Sequence, residues 1–290
     1  MSTRSLVGVH RGNGHHWVGD GFYVTQVLPG ADGLAQLADP FLLMDYHPPR
    51  DYAPTDRPRG VGPHPHRGFE TVTLAFEGAV AHHDSTGAGG VIRAGDVQWM
   101  TAAGGILHKE YHEAEWARTG GRFHMMQLWV NLPGAHKMDA PGYQGLTAES
   151  MGRVELAGGG SVRLIAGELD GTHGPARTFT PIELWDISLT PGKQAELDVP
   201  HGHTVMVFVL EGEVATEGGT IGREQLGLFE RDGDRVRLSA SDAGPARMIL
   251  LGGQPIGEDV LFYGPFVMNT EAELQQAIRD FNSGRFGTLV

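Results

Sequence analysis

Glycine and proline pairs punctuate this chain at short intervals, and the segments between them are too short and too strictly alternating for helices. The pairs PG, DG, EG and GG recur throughout the 290 residues, which include 44 Gly and 17 Pro. Between them lie runs such as FYVTQVL (22–28), FETVTLAFE (69–77) and VPHGHTVMVFVLEGEV (199–214). Apolar stretches of four to eight residues bounded by turn residues read as β-strands, and many of them without intervening helices imply antiparallel sheets closed into barrels. The expected class is therefore all-β.

The second half repeats the rhythm of the first. IELWDISLTPG, LGLFERDGDRVRL and ARMILLGG are strands with turns between them, and LEGEV (210–214) echoes FEGAV (76–80). Two related barrels in tandem account for this economically. Residues 134–160, ending in Gly158-Gly159-Gly160, read as the crossing between them. The chain closes on Thr270-Glu271-Ala272-Glu273, a capping box that opens a short helix with Leu274, Ala277, Ile278 and Phe281 on one face.

Several function classes are excluded by composition. The net charge of −13, with no run of Lys or Arg, opposes direct binding to a phosphate backbone. Without cysteine there are no disulfides, thiolate metal sites or cysteine nucleophiles. The first 30 residues hold no apolar signal core, and no stretch approaches the ~18 apolar residues of a membrane span. A cytoplasmic location is expected, or a nuclear one in a eukaryote.

Residues 62–110 carry the chemistry. His64-Pro65-His66 stands near one end and His108-Lys109-Glu110 at the other, with strand, turn and strand between. Residues i and i+2 of a strand share a face, so each pair projects together, and closing the strands into a barrel brings His64, His66, His108 and Glu110 to one point. Prolines 63 and 65 hold His64 extended. Three imidazoles and a carboxylate make a donor set of intermediate hardness. It suits Fe(II), Mn, Co, Ni, Cu or Zn better than Ca or Mg, so one divalent ion is expected. A helical zinc site using His108 and His112 is disfavoured, because the order is HKEYH and a glycine pair precedes it. His82 and His83 are adjacent and face opposite ways, one towards the pocket and one towards solvent. His201-Gly202-His203 lacks following ligands and reads as a turn. Phe41, Met44, Phe69 and Trp99 are expected to line a pocket.

The segments DPFLLMDY, HPHRGFETVTLAFEG, GDVQWMTAAGGILHKE, MQLWVNLP, IAGE (165–168) and GPFVMNT (264–270) together resemble the pirin family of the cupin superfamily, in order and over nearly the whole chain. The resemblance implies a bicupin: a metal-binding cupin domain at 1–134, a linker at 135–160, a cupin-like domain without metal at 161–265, and a helical tail at 266–290 packed on a barrel. It implies Fe(II) or another divalent ion on His64, His66, His108 and Glu110. Some family members are described as quercetin 2,3-dioxygenases. On that model a flavonol-like aromatic substrate and O2 would be the partners, with Glu110 taking the substrate's hydroxyl proton. The alternative is an iron-dependent redox sensor or transcriptional co-regulator that acts through a protein partner. The general cupin pattern has a glutamate ligand where Glu70 stands; pirins resemble a variant that uses the Glu110 position, so Glu70 is expected to orient a ligand or Arg67. Tyr111-His112 replaces the Met-Pro often found in the family.

Overall fold

The computed structural model describes residues 2–30 and 33–289; of the turn expected after FYVTQVL at Pro29-Gly30 and Asp32-Gly33, Asp32 falls outside them. Among the described residues, twenty-six strands and a few short helices confirm the all-β class, and they form two compact units. Both units pair a seven-stranded antiparallel sheet with a four-stranded one, which is the bicupin plan. Among the described residues no helix is long and apolar enough to cross a membrane.

The first unit comprises Asn13–Leu28, Phe41–Ala148 and Ile256–Val290. Its large sheet runs, in spatial order, Gly142–Leu146, Val97–Thr101, Phe69–Glu77, Gly121–Asn131, Phe41–Tyr52, Phe22–Leu28 and His15–Val18. Its small sheet runs Gly60–His66, Ile106–His112, Ala79–Asp84 and Gly89–Arg93. The prolines predict a loop over residues 48–63, but the strand Phe41–Tyr52 continues through Pro48 and Pro49 and the next strand begins at Gly60. The ladder tolerates Pro48 and Pro49 because its register against Gly121–Asn131 shifts at that point, between Phe123 and Met125.

The second unit comprises Met1–Gly12, Pro29–Pro40 and Glu149–Pro255. This division by contacts differs from one drawn along the chain at residues 134, 160 and 265. The N-terminal strand Leu6–Arg11 pairs with Gln225–Phe229 and forms an edge of the second unit's large sheet. Residues 135–160 hold two strands, Gly142–Leu146 at an edge of one large sheet and Gly152–Glu155 at an edge of the other. Edge pairing is set by backbone hydrogen bonds rather than by side-chain pattern, so short terminal strands leave little trace in sequence.

The interior of the second unit is apolar. Val162, Trp185, Ile187, Val205, Val207, Val209, Leu238, Met248 and Leu250 pack as one fully buried cluster from both of its sheets. Such a cluster is filled at close-packed density. The expected turn at His201-Gly202-His203 forms, closed by the His203 amide on the Pro200 carbonyl at 3.3 Å. His201 is exposed, but His203 is buried and its Nδ1 meets Glu183 Oε2 at 2.9 Å, a carboxylate supplied from another strand.

The C-terminal tail belongs to the first unit and reinforces the bend after His66. Gly68 has φ +89°, and a Cβ there would lie 1.9 Å from the Val267 carbonyl oxygen, so the strand Phe266–Met268 can pass only over a glycine. Arg67 and Val267 exchange backbone contact through the Val267 amide and the Arg67 carbonyl at 3.0 Å. The helix Glu271–Asn282 opens with the capping box on Thr270 and Glu273. Leu274 and Ala277 are buried, Ile278 is partly so, and exposed Phe281 stacks near Phe266 and Phe286. The same helix carries Asp280, which binds Arg67 at 2.9 Å with both side chains buried. Lys137, also buried, donates to the carbonyls of Gly68 and Val267 and to Asn131 Oδ1, at 2.7, 3.1 and 2.6 Å.

Removing one partner of a buried ion pair leaves the other desolvated and unmatched. Asp280→Ala is expected to lower stability by about 3 kcal/mol, read by denaturant unfolding, with Asp280→Asn losing less. A loss within experimental error for Asp280→Ala would show that Arg67 is held by the Gly104 carbonyl alone.

Candidate metal centre

The small sheet of the first unit sets the site. His64 on Gly60–His66 lies directly opposite His108 on Ile106–His112, and His66 lies opposite Ile106. On the other side of the same central strand, His108 faces Asp84 and Glu110 faces His82. A register shift between His108 and Glu110 places Glu110 against Val61. Because each pair is spaced by two residues, His64, His66, His82, Asp84, His108 and Glu110 all occupy one face. His108 to His112 is a strand and not a helix, which removes the i, i+4 zinc reading.

The ligand nitrogens of His64, His66 and His108 lie within 4.8 Å of one another, and His82, His108 and Glu110 form a second, overlapping group. An ion held at about 2.1 Å by each nitrogen needs donors within about 4.2 Å of each other, so the first group is near the spacing required. The three sequence-expected histidines are thus brought together. Glu110 joins through the second group, alongside His82.

Each of the three imidazoles has one nitrogen fixed by a neighbour. His64 Nδ1 donates to the Gly62 carbonyl at 2.9 Å. His66 donates to the Pro265 carbonyl, and its Nδ1 has no partner. His108 Nδ1 lies 3.3 Å from His82 Nδ1, and His82 Nε2 lies 3.3 Å from Asp84 Oδ2. Asp84 also accepts from the Thr86 amide and hydroxyl. Although burial opposes its charge, the bonds from His82 and Thr86 hold its pKa below the usual carboxylate value. An ionised Asp84 takes the His82 Nε2 proton as a hydrogen bond, so a neutral His82 presents a lone pair at Nδ1. That lone pair can accept only from His108 Nδ1–H, which leaves His108 Nε2 unprotonated. His108 Nε2 has no hydrogen-bond partner although the residue is fully buried.

These two orphaned nitrogens, on His66 and His108, are the observation that tests the donor set. Burial first, and then the adjacent imidazoles, push both residues well below the ordinary histidine pKa. Neutral imidazoles with lone pairs converging on one point fit a divalent ion, and a buried polar atom without a partner is otherwise costly. The cluster can therefore hold a metal.

Glu110 is held more firmly than its expected role as a proton acceptor suggests. Its Oε1 accepts from Gln98 Nε2 at 2.7 Å and from Thr73 Oγ1 at 3.2 Å, and its Oε2 accepts from Gln127 Nε2 at 2.8 Å. Gln98, Thr73 and Gln127 carry no recognisable motif individually. The signal is their register: Thr73 pairs with both Gln98 and Gln127 across neighbouring strands.

His82 is the member of its pair that faces inward, fully buried and stacked on Tyr143, while His83 is exposed and meets the Tyr111 hydroxyl at 3.0 Å. His112 is buried among Phe22, Tyr52, Trp116 and Phe123 and donates Nε2 to the Gly21 carbonyl at 3.0 Å. The Tyr111-His112 substitution is thus absorbed beside the site, with His108 and Glu110 undisturbed.

A chamber of about 30 Å³ adjoins the cluster, lined by Val18, Phe22, Val24, Asp45, Val61, His64, Glu110, Met125 and Gln127. Phe41, Met44 and Trp99 do not line it. Met44 and Trp99 neighbour inward-facing Asp45 and Gln98, so strand alternation turns them to the opposite face. Phe69 instead packs on His66 and Trp129, with centroids 5.1 and 4.2 Å away. Nor does Glu70 orient Arg67, which is taken by Asp280. Glu70 is buried and accepts from Thr101 Oγ1 at 2.6 Å, and burial raises its pKa to about 7.

Comparisons with known proteins identify the family. The chain matches the Pirin family model over residues 21–130 and the Pirin C-terminal cupin domain over residues 184–287. It is 47% identical over 284 residues, 98% of each chain, to a Pseudomonas aeruginosa protein with a provisional quercetin 2,3-dioxygenase name. A Pirin-like protein of Caulobacter vibrioides is 42% identical over 92% of this chain and 94% of its own. A crystal structure described as quercetin 2,3-dioxygenase from Acinetobacter baumannii superposes with TM-score 0.94 at 45% identity over the whole of both chains.

The buried Glu70 yields a pH-dependent prediction. Its folded pKa of about 7 lies above the model-compound value of 4.5, so between them the folded protein keeps a proton that the unfolded chain has lost. Stability relative to Glu70→Gln is therefore unaffected below this window, falls as pH rises through it, and stays reduced above it by about 3 kcal/mol. Thermal unfolding of both proteins across pH measures the difference; a constant offset would show that Glu70 titrates normally.

Proposed function

From the premise that the chain belongs to the pirin family of bicupins, we propose that it is a metal-dependent dioxygenase acting on a hydroxylated aromatic compound, a flavonol such as quercetin, with O2. The observation that carries this reading is the pair of buried, unpartnered nitrogens on His66 and His108, converging with His64. His64, His66 and His108 would hold one divalent ion, Fe(II) or else Mn, Co, Ni, Cu or Zn, with Glu110 as the fourth ligand. Such an ion supplies Lewis acidity and, if redox-active, O2 activation.

The protein's own contributions are orientation and exclusion of water. Asp84 and His82 fix the His108 tautomer, the Gly62 carbonyl fixes that of His64, and Pro265 fixes that of His66. Gln98, Thr73 and Gln127 hold the Glu110 carboxylate in place. Those three donors fill three of the carboxylate's roughly four acceptor sites, so one site at Oε2 stays open, either to the ion or to a substrate hydroxyl proton. The apolar side chains of Val18, Phe22, Val24, Val61 and Met125 keep the chamber beside it dry.

One observation favours a second reading. Small-molecule sites typically measure about 300–1,000 Å³, whereas this chamber is about 30 Å³. A flavonol enters only if the apolar wall moves aside. If it does not, the centre serves as a redox sensor read by a protein partner, and the surface rather than the chamber carries the function.

Elemental analysis of purified wild type is expected to give one ion per chain. His64→Ala is expected to lose it, and Glu110→Ala to keep part of it while losing turnover. Loss of flavonol absorbance in aerobic quercetin, absent under anaerobic conditions, tests the oxygenase reading. No loss with Fe, Mn, Co, Ni or Cu would move the assignment to the sensor, and full occupancy in His64→Ala would dismantle the ligand set.

A further inference from the structure

One carboxylate in the chamber has no role in the site described so far. Asp45 lies in a continuous row of directly paired residues across the large sheet: Gln26 opposite Asp45, Asp45 opposite Gln127, Gln127 opposite Thr73, and Thr73 opposite Gln98. Direct pairing puts all five on one face. Gln127, Thr73 and Gln98 are committed to Glu110. Gln26 hydrogen bonds to the Asp45 side chain. Asp45 is 9% exposed and lines the chamber with His64 and Glu110, yet its Oδ1 has no hydrogen-bond partner.

A carboxyl oxygen that is buried without a partner loses a hydrogen bond it would have in water, a loss that persists in a fold only where something compensates. Other walls of the chamber cannot compensate here: Val18, Phe22, Val24, Val61 and Met125 are apolar, and Gln127 already serves Glu110. We propose that Asp45 recognises a hydroxyl group of the aromatic ligand admitted to this chamber, through a hydrogen bond at its free Oδ1. Asp45 thereby selects hydroxylated over alkylated rings and aligns the ligand against Glu110 on the facing wall. This rests on the oxygenase reading and adds to it the residue that reads the substrate.

The electrostatics are consistent with that task. Burial raises the Asp45 pKa to about 6, opposed by His16 and by the bond from Gln26. His16, two strands away in the large sheet, and His64 and Glu110, across the chamber, are the titratable groups that face it. The side chain therefore loses its proton near neutral pH, and as a carboxylate it accepts the hydrogen bond from the ligand hydroxyl, which the protonated acid does less well.

The experiment is anaerobic calorimetry of metal-loaded protein with quercetin and with its fully O-methylated analogue, at several pH values from about 5 to about 7. Wild type should bind quercetin more tightly as pH rises through this range and bind the methylated analogue weakly throughout. Asp45→Asn should flatten the pH dependence, and Asp45→Leu should weaken quercetin binding about 10- to 100-fold without changing affinity for the methylated analogue. Both variants should keep wild-type metal content, which separates loss of recognition from loss of the site. Quercetin binding of both variants at wild-type affinity and pH profile would overturn the proposal and leave Oδ1 facing a water. A wild type that binds no flavonol at any pH would overturn the oxygenase reading and this proposal together.

Discussion

Three imidazoles can converge on one point inside a protein only if each is neutral and turns a lone pair inward, and a neutral imidazole has just one lone pair to give. The rest of the first barrel is arranged around that restriction. His64 gives its Nδ1 proton to a carbonyl two residues back, in its own strand. His66 relies on a carbonyl from the C-terminal tail, and His108 on a relay through His82 to Asp84. Each acceptor comes from a different part of the chain, so the tautomers are fixed by the tertiary fold.

That dependence explains the effort spent on the segment following His66. Arg67, Gly68 and the strand Phe266–Met268 form one joint, held by Asp280 on the C-terminal helix and by the three donors of Lys137. Lys137 is buried, and burial lowers its pKa to about 8, a cost offset by acceptors from three separate segments. The joint keeps the Pro265 carbonyl over His66. A tail that looks like an appendage in sequence thus reaches the chemistry through one hydrogen bond.

The two barrels show how one architecture separates into two tasks. Both combine seven strands with four. In the second, the buried cluster is built from residues such as Val, Leu, Ile, Met and Trp. In the first, the corresponding faces carry Gln26, Asp45, Thr73, Gln98 and Gln127 opposite the histidine sheet. Polar residues in a barrel are tolerable only when they satisfy one another, and here most of them do so through Glu110. The packing energy given up inside the first barrel is replaced by that network.

The sequence by itself determined the all-β class, the tandem barrels, the capped terminal helix and the three histidines. All of these depend on local pattern: residues two apart share a strand face, turn residues mark its ends, and a capping box opens the helix. What sequence could not supply was which strands become neighbours. Leu6–Arg11 joins the later barrel, Asp280 finds Arg67, and Glu183 finds His203 across long separations that no local pattern encodes. The alternation that placed His64 and His66 together also misassigned Met44 and Trp99 to the chamber, because period two says that neighbours oppose each other and not which of them faces in. Cross-strand register decided that, and with it the donors around Glu110 and the free oxygen of Asp45.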